Sequence, residues 1–250
     1  MTDTNVLLSV TGLTKHFNIN NSWFSKPLLL HAVDDMHFQL HRGETLGVVG
    51  ESGSGKSTLA RLLLKLIPAT AGEVNYQGRN ILPLKESQSG YLRKDMQMIF
   101  QDPYASLDPR VKIGNSIAEP LREHKLYHRK EEVLERVGSM LERVGLQREM
   151  VNRFPHEFSG GQHQRINIAR ALAMNPKLII CDEAVSALDV SVQAQVLNLF
   201  SQLKDEFSLT YVFISHDLSV VKFVSDTIIV MYLGEMMEKA PADKLFSETA

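Results

Sequence analysis

Two kinds of apolar segment lie along the chain, and both predict β-strands. In the first third, short apolar stretches separated by turn residues predict strands at residues 6–10, 32–33, 36–40 and 73–76. Five further stretches are apolar almost throughout, which is typical of strands covered on both faces: 45–49, 96–100, 178–181, 211–214 and 227–231. The pattern therefore predicts an α/β core together with a region of short strands in the first third.

Four of the five apolar strands lead directly into glycine or polar residues: Gly50, Gln101, Asp182, and Ser215 with His216. Ligands of open α/β sheets bind at the carboxyl ends of strands. We therefore expect these four strand ends to converge on one site.

The middle of the chain has helical periodicity. Apolar residues at helical spacing predict a helix over 129–144. From Glu119 to Glu149 there are seven basic and seven acidic residues, and this balance of charge indicates a solvated helical face and no stripe for a phosphate backbone. We expect one domain over residues 1–250, with an α/β core at 1–89 and 166–250 and a helical subdomain inserted at 90–165.

Composition narrows the classes of function. Of the 250 residues, 44% are hydrophobic. The formal net charge is -2, and this lack of a basic excess argues against nucleic acid as a partner. The single cysteine, Cys181, excludes an internal disulfide scaffold. The polar N-terminus lacks the pattern of a signal peptide, and no apolar run approaches the roughly 20 residues of a membrane helix. We expect a soluble, cytoplasmic protein. If it functions at a membrane, other chains would supply the membrane-spanning part.

Residues 50–57 match the phosphate-loop pattern G-x-x-x-x-G-K-[ST], between an apolar strand and a helical run starting at Thr58. The loop residues are Gly50, Glu51, Ser52, Gly53, Ser54, Gly55, Lys56 and Ser57. Glycines let backbone N–H groups surround phosphate oxygens, Lys56 supplies a charge, and the Ser57 hydroxyl can bind Mg²⁺. We expect Lys56 to be reached by solvent and to carry no core packing. The loop alone is compatible with a kinase, a GTPase, a helicase or a transporter motor.

Two further motifs carry chemistry. Asp182 and Glu183 end a buried strand and point in different directions, so Asp182 can hold Mg²⁺ while Glu183 acts as general base. The alternative is an acidic pair that caps a helix.

A predicted helix over 162–174 opens with Ser159, Gly160, Gly161 and Gln162. The serine would be its N-cap, and its N–H groups would be free for an anion. The alternative there is an ordinary capped helix.

Taken in order, these motifs with Gln101, residues 186–189 and His216 resemble the ATPase subunit of an ABC transporter. They are similar to its Walker A, Q-loop, signature, Walker B, D-loop and H-switch elements. The resemblance implies a P-loop NTPase core of mixed sheet, with an antiparallel β subdomain and an inserted helical subdomain. It also implies a head-to-tail dimer in which two ATP molecules lie between the Walker A of one chain and the signature of the other.

The resemblance implies specific roles for single residues. Glu183, His216 and Gln101 would be catalytic, and Ser57, Gln101 and Asp182 would bind Mg²⁺. ATP would contact the phosphate loop with Thr58, the signature residues, Asp189, and Phe17, which is similar to the aromatic residue that stacks on adenine. For Phe17 alone, a place in the core is the alternative.

Five segments resemble the F-type ATPase subunit of bacterial dipeptide/oligopeptide importers: 43–52, 99–110, 154–158, 186–195 and 215–221. Nickel and metal-chelate importers belong to the same group. The resemblance implies a second ATPase subunit (a D-type homologue, or a second copy), two membrane permeases, an extracellular solute-binding protein, and a place on the cytoplasmic face of the bacterial inner membrane. Two departures are Ala184, where proline is usual, and an end at Ala250, where these subunits normally continue into a C-terminal segment. That segment sometimes has cysteines for an iron–sulfur cluster; those cysteines are absent here, so no cluster is predicted.

Three other classes are compatible with parts of the pattern. An exporter ATPase shares the motifs. A soluble ABC ATPase acting on nucleic acid would usually have two cassettes, long coiled-coil insertions or zinc cysteines, and none of these is in the sequence. A nucleotide switch without hydrolysis would usually lack Glu183 or His216, and both are present. The transported solute cannot be read from this chain.

Overall fold

The computed structural model describes residues 5–19 and 28–245. Ten strands occur in these ranges: β1 (Val6–Asn18), β2 (Leu29–His41), β3 (Thr45–Val49), β4 (Ala71–Tyr76), β5 (Arg79–Asn80), β6 (Met96–Ile99), β7 (Leu178–Asp182), β8 (Thr210–Ser215), β9 (Thr227–Tyr232) and β10 (Glu235–Pro241). Eight α-helices accompany them: α1 (Lys56–Leu63), α2 (Gly90–Asp95), α3 (Ile113–Glu123), α4 (Lys130–Arg143), α5 (Gly160–Ala173), α6 (Val190–Phe207), α7 (Leu218–Val224) and α8 (Ala242–Leu245). The chain divides into two compact units, Met1–Leu92 with Thr210–Ala250, and Arg93–Leu209.

The first unit contains two groups of strands. An antiparallel sheet has the order β2-β1-β4-β5, which confirms the predicted antiparallel β region. In the other group, β3 lies between β8 and β9 and is parallel to both, and β10 pairs antiparallel with β9. All five residues of β3 are buried, as expected for a strand covered on both faces.

The second unit combines two parallel strands, β6 and β7, with helices. Helices α3, α4 and α5 pack against one another through fully buried apolar side chains such as Ile117, Val137 and Ile168. The predicted helix over 129–144 is confirmed as α4. Its charged face carries exposed ion pairs, including Arg148 with Glu135 and Glu142, which agrees with a solvated face.

The fold is therefore the predicted mixed α/β class with an antiparallel sheet. The predicted division at residues 90 and 165 stays a prediction.

Candidate functional site

In the first unit, two of the strand ends selected from the sequence come together. Strands β3 and β8 run parallel, and Val49 lies opposite Ser215 in the register. Gly50 and His216 are the next residues of the two strands, so they follow at the same edge. The His216 side chain is exposed there.

The phosphate loop is closed around its own lysine. Lys56 donates hydrogen bonds from Nζ to the carbonyl oxygens of Gly50 and Glu51, both over 2.8 Å, and lies 3.4 Å from Ser54 Oγ. Only 4% of Lys56 is exposed. The expectation that solvent reaches this lysine is therefore wrong. The physical reason is that the carbonyl oxygens of the loop satisfy the buried ammonium group.

Two glycines of the loop are required by the space around them. A Cβ at Gly50 would lie 2.1 Å from the carbonyl oxygen of Met231, and one at Gly55 would lie 2.0 Å from that of Ala32. Gly55 also has a φ of +102° and forms the N-cap of α1. The loop thus passes close to β2 and β9, and only glycine fits at these points.

Ser57 and Thr58 lie in the first turn of α1, both half-buried. Glu51, Ser52 and Gly53 form the exposed outer side of the loop. The helix begins two residues earlier than the sequence predicts, so Lys56 belongs to its first turn. Its N-terminal N–H groups are therefore directed at the loop.

Phe17 lies near the end of β1, and 38% of it is exposed. The alternative that Phe17 belongs to the core is therefore wrong. Lys15 lies over the ring, with Nζ 4.9 Å from the ring centroid. Lys15 therefore covers one face of the ring, and a partly exposed aromatic ring of this kind can stack on a base.

In the second unit, the other two selected strand ends also meet. Strands β6 and β7 run parallel, with Ile99 opposite Cys181. Gln101 and Glu183 follow, and Gln101 donates a hydrogen bond from Nε2 to Glu183 Oε2 over 2.9 Å. The carboxyl ends of β6 and β7 thus place the Gln101 amide in hydrogen-bond contact with the Glu183 carboxylate.

Asp182 and Glu183 occupy different environments, as the alternation predicts. Asp182 is 7% exposed, whereas Glu183 is half-buried and has a φ of +51°, an uncommon conformation for a residue other than glycine. A turn fixes this conformation, because the backbone N–H and the Oγ of Ser186 both donate to the carbonyl oxygen of Glu183. The next helix, α6, begins at Val190 with Asp189 as its N-cap, so the acidic pair caps no helix.

Cys181 lies fully buried in β7, directly before Asp182. Burial raises the pKa of the Cys181 thiol well above its ordinary value, and the neighbouring Asp182 charge adds to this. The thiol is therefore protonated and chemically inert.

The serine-glycine-glycine-glutamine segment forms a reciprocal cap at the start of α5. The Gln162 N–H donates to Ser159 Oγ over 3.4 Å, and the Ser159 N–H donates to Gln162 Oε1 over 3.0 Å. The expected serine N-cap is confirmed. The expectation that the N–H groups are all free is wrong for Gln162, because the capping box uses that N–H.

Sequence reasoning missed how the segment after Gln101 is attached to α5. Asn167 Nδ2 donates to the Pro103 carbonyl and Arg170 Nη1 to the Ser106 carbonyl, each over 3.0 Å. The His163 and Tyr104 rings are 4.0 Å apart between centroids. No local sequence signal marks these contacts, since each joins residues about 60 positions apart.

A phosphate loop between a buried strand and a helix, together with strand-end carboxylates and a glycine-rich capped helix, defines the ATP-binding cassette class of P-loop proteins. The ABC transporter family matches residues 33–186, and the chain belongs to this family.

Known relatives share nearly the whole chain. It is 54% identical over 244 residues to the oligopeptide transport ATP-binding protein OppF of Escherichia coli K12, covering 96% of this chain and 73% of the relative. It is 52% identical over 241 residues to the dipeptide transport ATP-binding protein DppF of Haemophilus influenzae, covering 96% and 73%. Among solved structures, the dimeric ATP-binding cassette MJ0796 bound to ADP and Pi matches with a TM-score of 0.82 and 28% identity, over 94% of this chain and 98% of that one.

Proposed function

We propose that this protein is the ATP-hydrolysing motor of a peptide importer. The observation that carries the ATPase role is the position of Glu183 directly after the buried Asp182, at a strand end where Gln101 already holds its carboxylate. The names of the relatives support peptide uptake, since they are oligopeptide and dipeptide transport proteins.

Different residues of the chain bind the phosphates, bind adenine and activate the attacking water. The phosphate loop and the N-terminus of α1 bind the β- and γ-phosphates, and Lys56 leaves its carbonyl partners to contact them. Phe17 stacks on adenine. Glu183 accepts a proton from the water that attacks the γ-phosphorus, while the bond from that phosphorus to the β–γ bridging oxygen breaks and ADP leaves. Gln101 and His216 position the water and the γ-phosphate.

The donor set fits Mg²⁺, because the Ser57 hydroxyl, the Asp182 carboxylate and the Gln101 amide all offer oxygen. When bound, Mg²⁺ neutralises charge on the phosphates during transfer. A buried carboxylate such as Asp182 is stabilised by a nearby cation of this kind.

The helix end at Ser159–Gln162 acts on the ATP of a partner ATPase subunit, and Asp189 contacts ATP as well. The dimeric MJ0796 structure supports such pairing. We propose a D-type homologue as the partner, with a second copy of this chain as the other option. Two permeases and an extracellular solute-binding protein complete the transporter.

No helix in the described ranges is long and apolar enough to cross a membrane. We propose that the protein binds peripherally to the permeases at the cytoplasmic face of the inner membrane.

Reconstitution tests this proposal. The isolated chain should be mostly monomeric and a weak ATPase, and turnover should rise when the partner ATPase and permeases are added in lipid. Peptide-loaded binding protein should raise it further, whereas the unloaded binding protein should not. Full activity of the monomer at any concentration would contradict the proposal.

A further inference from the structure

Two histidines and an aspartate form a cluster in the first unit, outside the residues assigned to ATP chemistry. One nitrogen each of His16 and His31 and one carboxylate oxygen of Asp34 all lie within 4.8 Å of one another. His31 Nδ1 is 2.9 Å from Asp34 Oδ2, and His16 Nε2 is 3.6 Å from Asp34 Oδ1. The two rings are 3.9 Å apart between centroids.

The backbone builds this arrangement through a β-bulge. In the antiparallel pairing of β1 with β2, Lys15 lies opposite Val33 but His16 lies opposite His31, so Ala32 is the extra residue. A bulge re-aims the side chains beside it. Here it sets the two imidazoles on one face as a direct cross-strand pair, with Asp34 three residues after His31.

The distances suit a tetrahedral metal ion. Bonds of about 2.0–2.1 Å to imidazole nitrogen and carboxylate oxygen give a tetrahedral edge of roughly 3.4 Å between ligand atoms. The two observed separations, 2.9 Å to Asp34 Oδ2 and 3.6 Å to Asp34 Oδ1, lie on either side of that edge, and one carboxylate oxygen lies within 4.8 Å of both nitrogens. His16 Nε2 is buried and makes no hydrogen bond, because its separation of 3.6 Å from Asp34 Oδ1 is longer than a hydrogen bond.

We propose that His16, His31 and Asp34 bind one divalent transition-metal ion of the zinc type. Two imidazoles and one carboxylate select zinc, nickel, cobalt or copper over Mg²⁺, which prefers a shell of oxygen ligands. With three protein ligands, one coordination position stays open.

The site is connected to the phosphate loop through the backbone. The Asp34 N–H donates to the Gly234 carbonyl over 2.8 Å, and the Gly234 N–H donates to the Ser54 carbonyl over 3.0 Å. His16 also directly precedes Phe17, the residue proposed to stack on adenine. We infer that the bound ion fixes this end of β1 and β2 and thereby pre-organises nucleotide binding.

Calorimetry tests the site in the absence of nucleotide. Zinc is titrated into the tag-free 250-residue chain in excess Mg²⁺. We expect one zinc ion per chain. Zinc affinity should fall about 100-fold or more in His16→Ala and His31→Ala, because mutation of a residue that only hydrogen-bonds to a metal ligand already lowers affinity about 10–100-fold. His37→Ala is the matched control, since His37 pairs with Asp35 over 2.8 Å but lacks a second imidazole. Unchanged zinc affinity in His31→Ala, or equal loss in His37→Ala, would overturn the site.

The coupling rests on the proposed nucleotide site and has its own test. Zinc should tighten binding of Mg-ATP at least about fivefold, and Mg-ATP should tighten zinc binding by the same factor. The same measurement in His31→Ala gives the baseline, because the nucleotide chelates zinc equally in the presence of either protein. Zinc binding without any change in ATP affinity would overturn the coupling and leave the metal site. Absence of ATP binding altogether would instead overturn the proposed function.

Discussion

Gln101 holds Glu183 by a hydrogen bond of 2.9 Å from its Nε2 to Oε2 of the carboxylate. Both residues follow buried parallel strands, and Glu183 keeps an uncommon positive φ. The bond fixes the direction of the carboxylate, so Gln101 sets the orientation of the proposed base.

Replacing Glu183 by glutamine tests the general base. A positioned base contributes roughly 10²–10⁴-fold in rate, and Glu183→Gln should lose about that factor in hydrolysis. ATP should bind as tightly or more tightly, because a negative charge beside the γ-phosphate is removed. Single-turnover hydrolysis in the assembled transporter measures the rate, and the dimer fraction at saturating Mg-ATP should increase. Glu131→Gln, on the exposed face of α4, is the control. Hydrolysis within a few-fold of the parent would assign the base elsewhere.

Gln101→Glu tests whether the contact with Glu183 is present during turnover. Two carboxylates at this distance cannot both ionise easily, so the pKa of the pair's second ionisation rises. The base works when deprotonated, so the rising limb of hydrolysis rate against pH should shift to higher pH. Gln97→Glu, on the strand that precedes Gln101, should leave that limb in place. An unshifted limb in Gln101→Glu would show that the two side chains separate before the chemical step.

Lys56→Ala should abolish ATP binding and also reduce stability. The buried ammonium satisfies two loop carbonyls, and leaving such acceptors without a donor costs about 1–3 kcal/mol. Chemical denaturation measures the free energy of unfolding, and a labelled ATP analogue measures binding. Lys130→Ala is the control, because Lys130 is exposed at the start of α4. Unchanged stability in Lys56→Ala would show that the loop opens without nucleotide.

Much of the fold follows from local pattern, because buried strands leave nearly continuous apolar runs. Strand β3 has the predicted bounds, and β8 and β9 extend beyond theirs by a residue or two. Strand β10 has no such signal, since most of Glu235–Pro241 is exposed and charged residues interrupt its apolar ones. Helix α3 contains Pro120, which hides its periodicity.

The parts of the site that sequence alone could not supply depend on long-range geometry. Lysine is rarely buried, so nothing in the loop motif indicates that Lys56 donates to its own loop. The pairing of His16 with His31 depends on a bulge at Ala32, which shifts the register by one residue. Periodicity carries no information about such a shift.

Gly161→Ala tests the packing of the signature helix. A Cβ at Gly161 would lie 2.5 Å from Val192 Cγ1 at the start of α6, whereas one at Gly160 would lie 4.0 Å from Leu188 Cδ2. Overpacking of this kind costs roughly 1–3 kcal/mol, so Gly161→Ala should lower the free energy of unfolding by that amount. Gly160→Ala is the matched control and should not destabilise, because its added methyl group makes an ordinary contact.

The double variant Gly161→Ala with Val192→Ala separates packing from chemistry. Shortening Val192 removes the methyl group that clashes, so stability should recover in the double variant, and a double-mutant cycle by chemical denaturation should show favourable coupling. If the destabilisation of Gly161→Ala is the same with valine or alanine at 192, the glycine is not required by this contact. If stability recovers but hydrolysis in the assembled transporter does not, Gly161 is needed for close approach of its backbone to the partner's nucleotide, which is the role proposed for Ser159–Gln162.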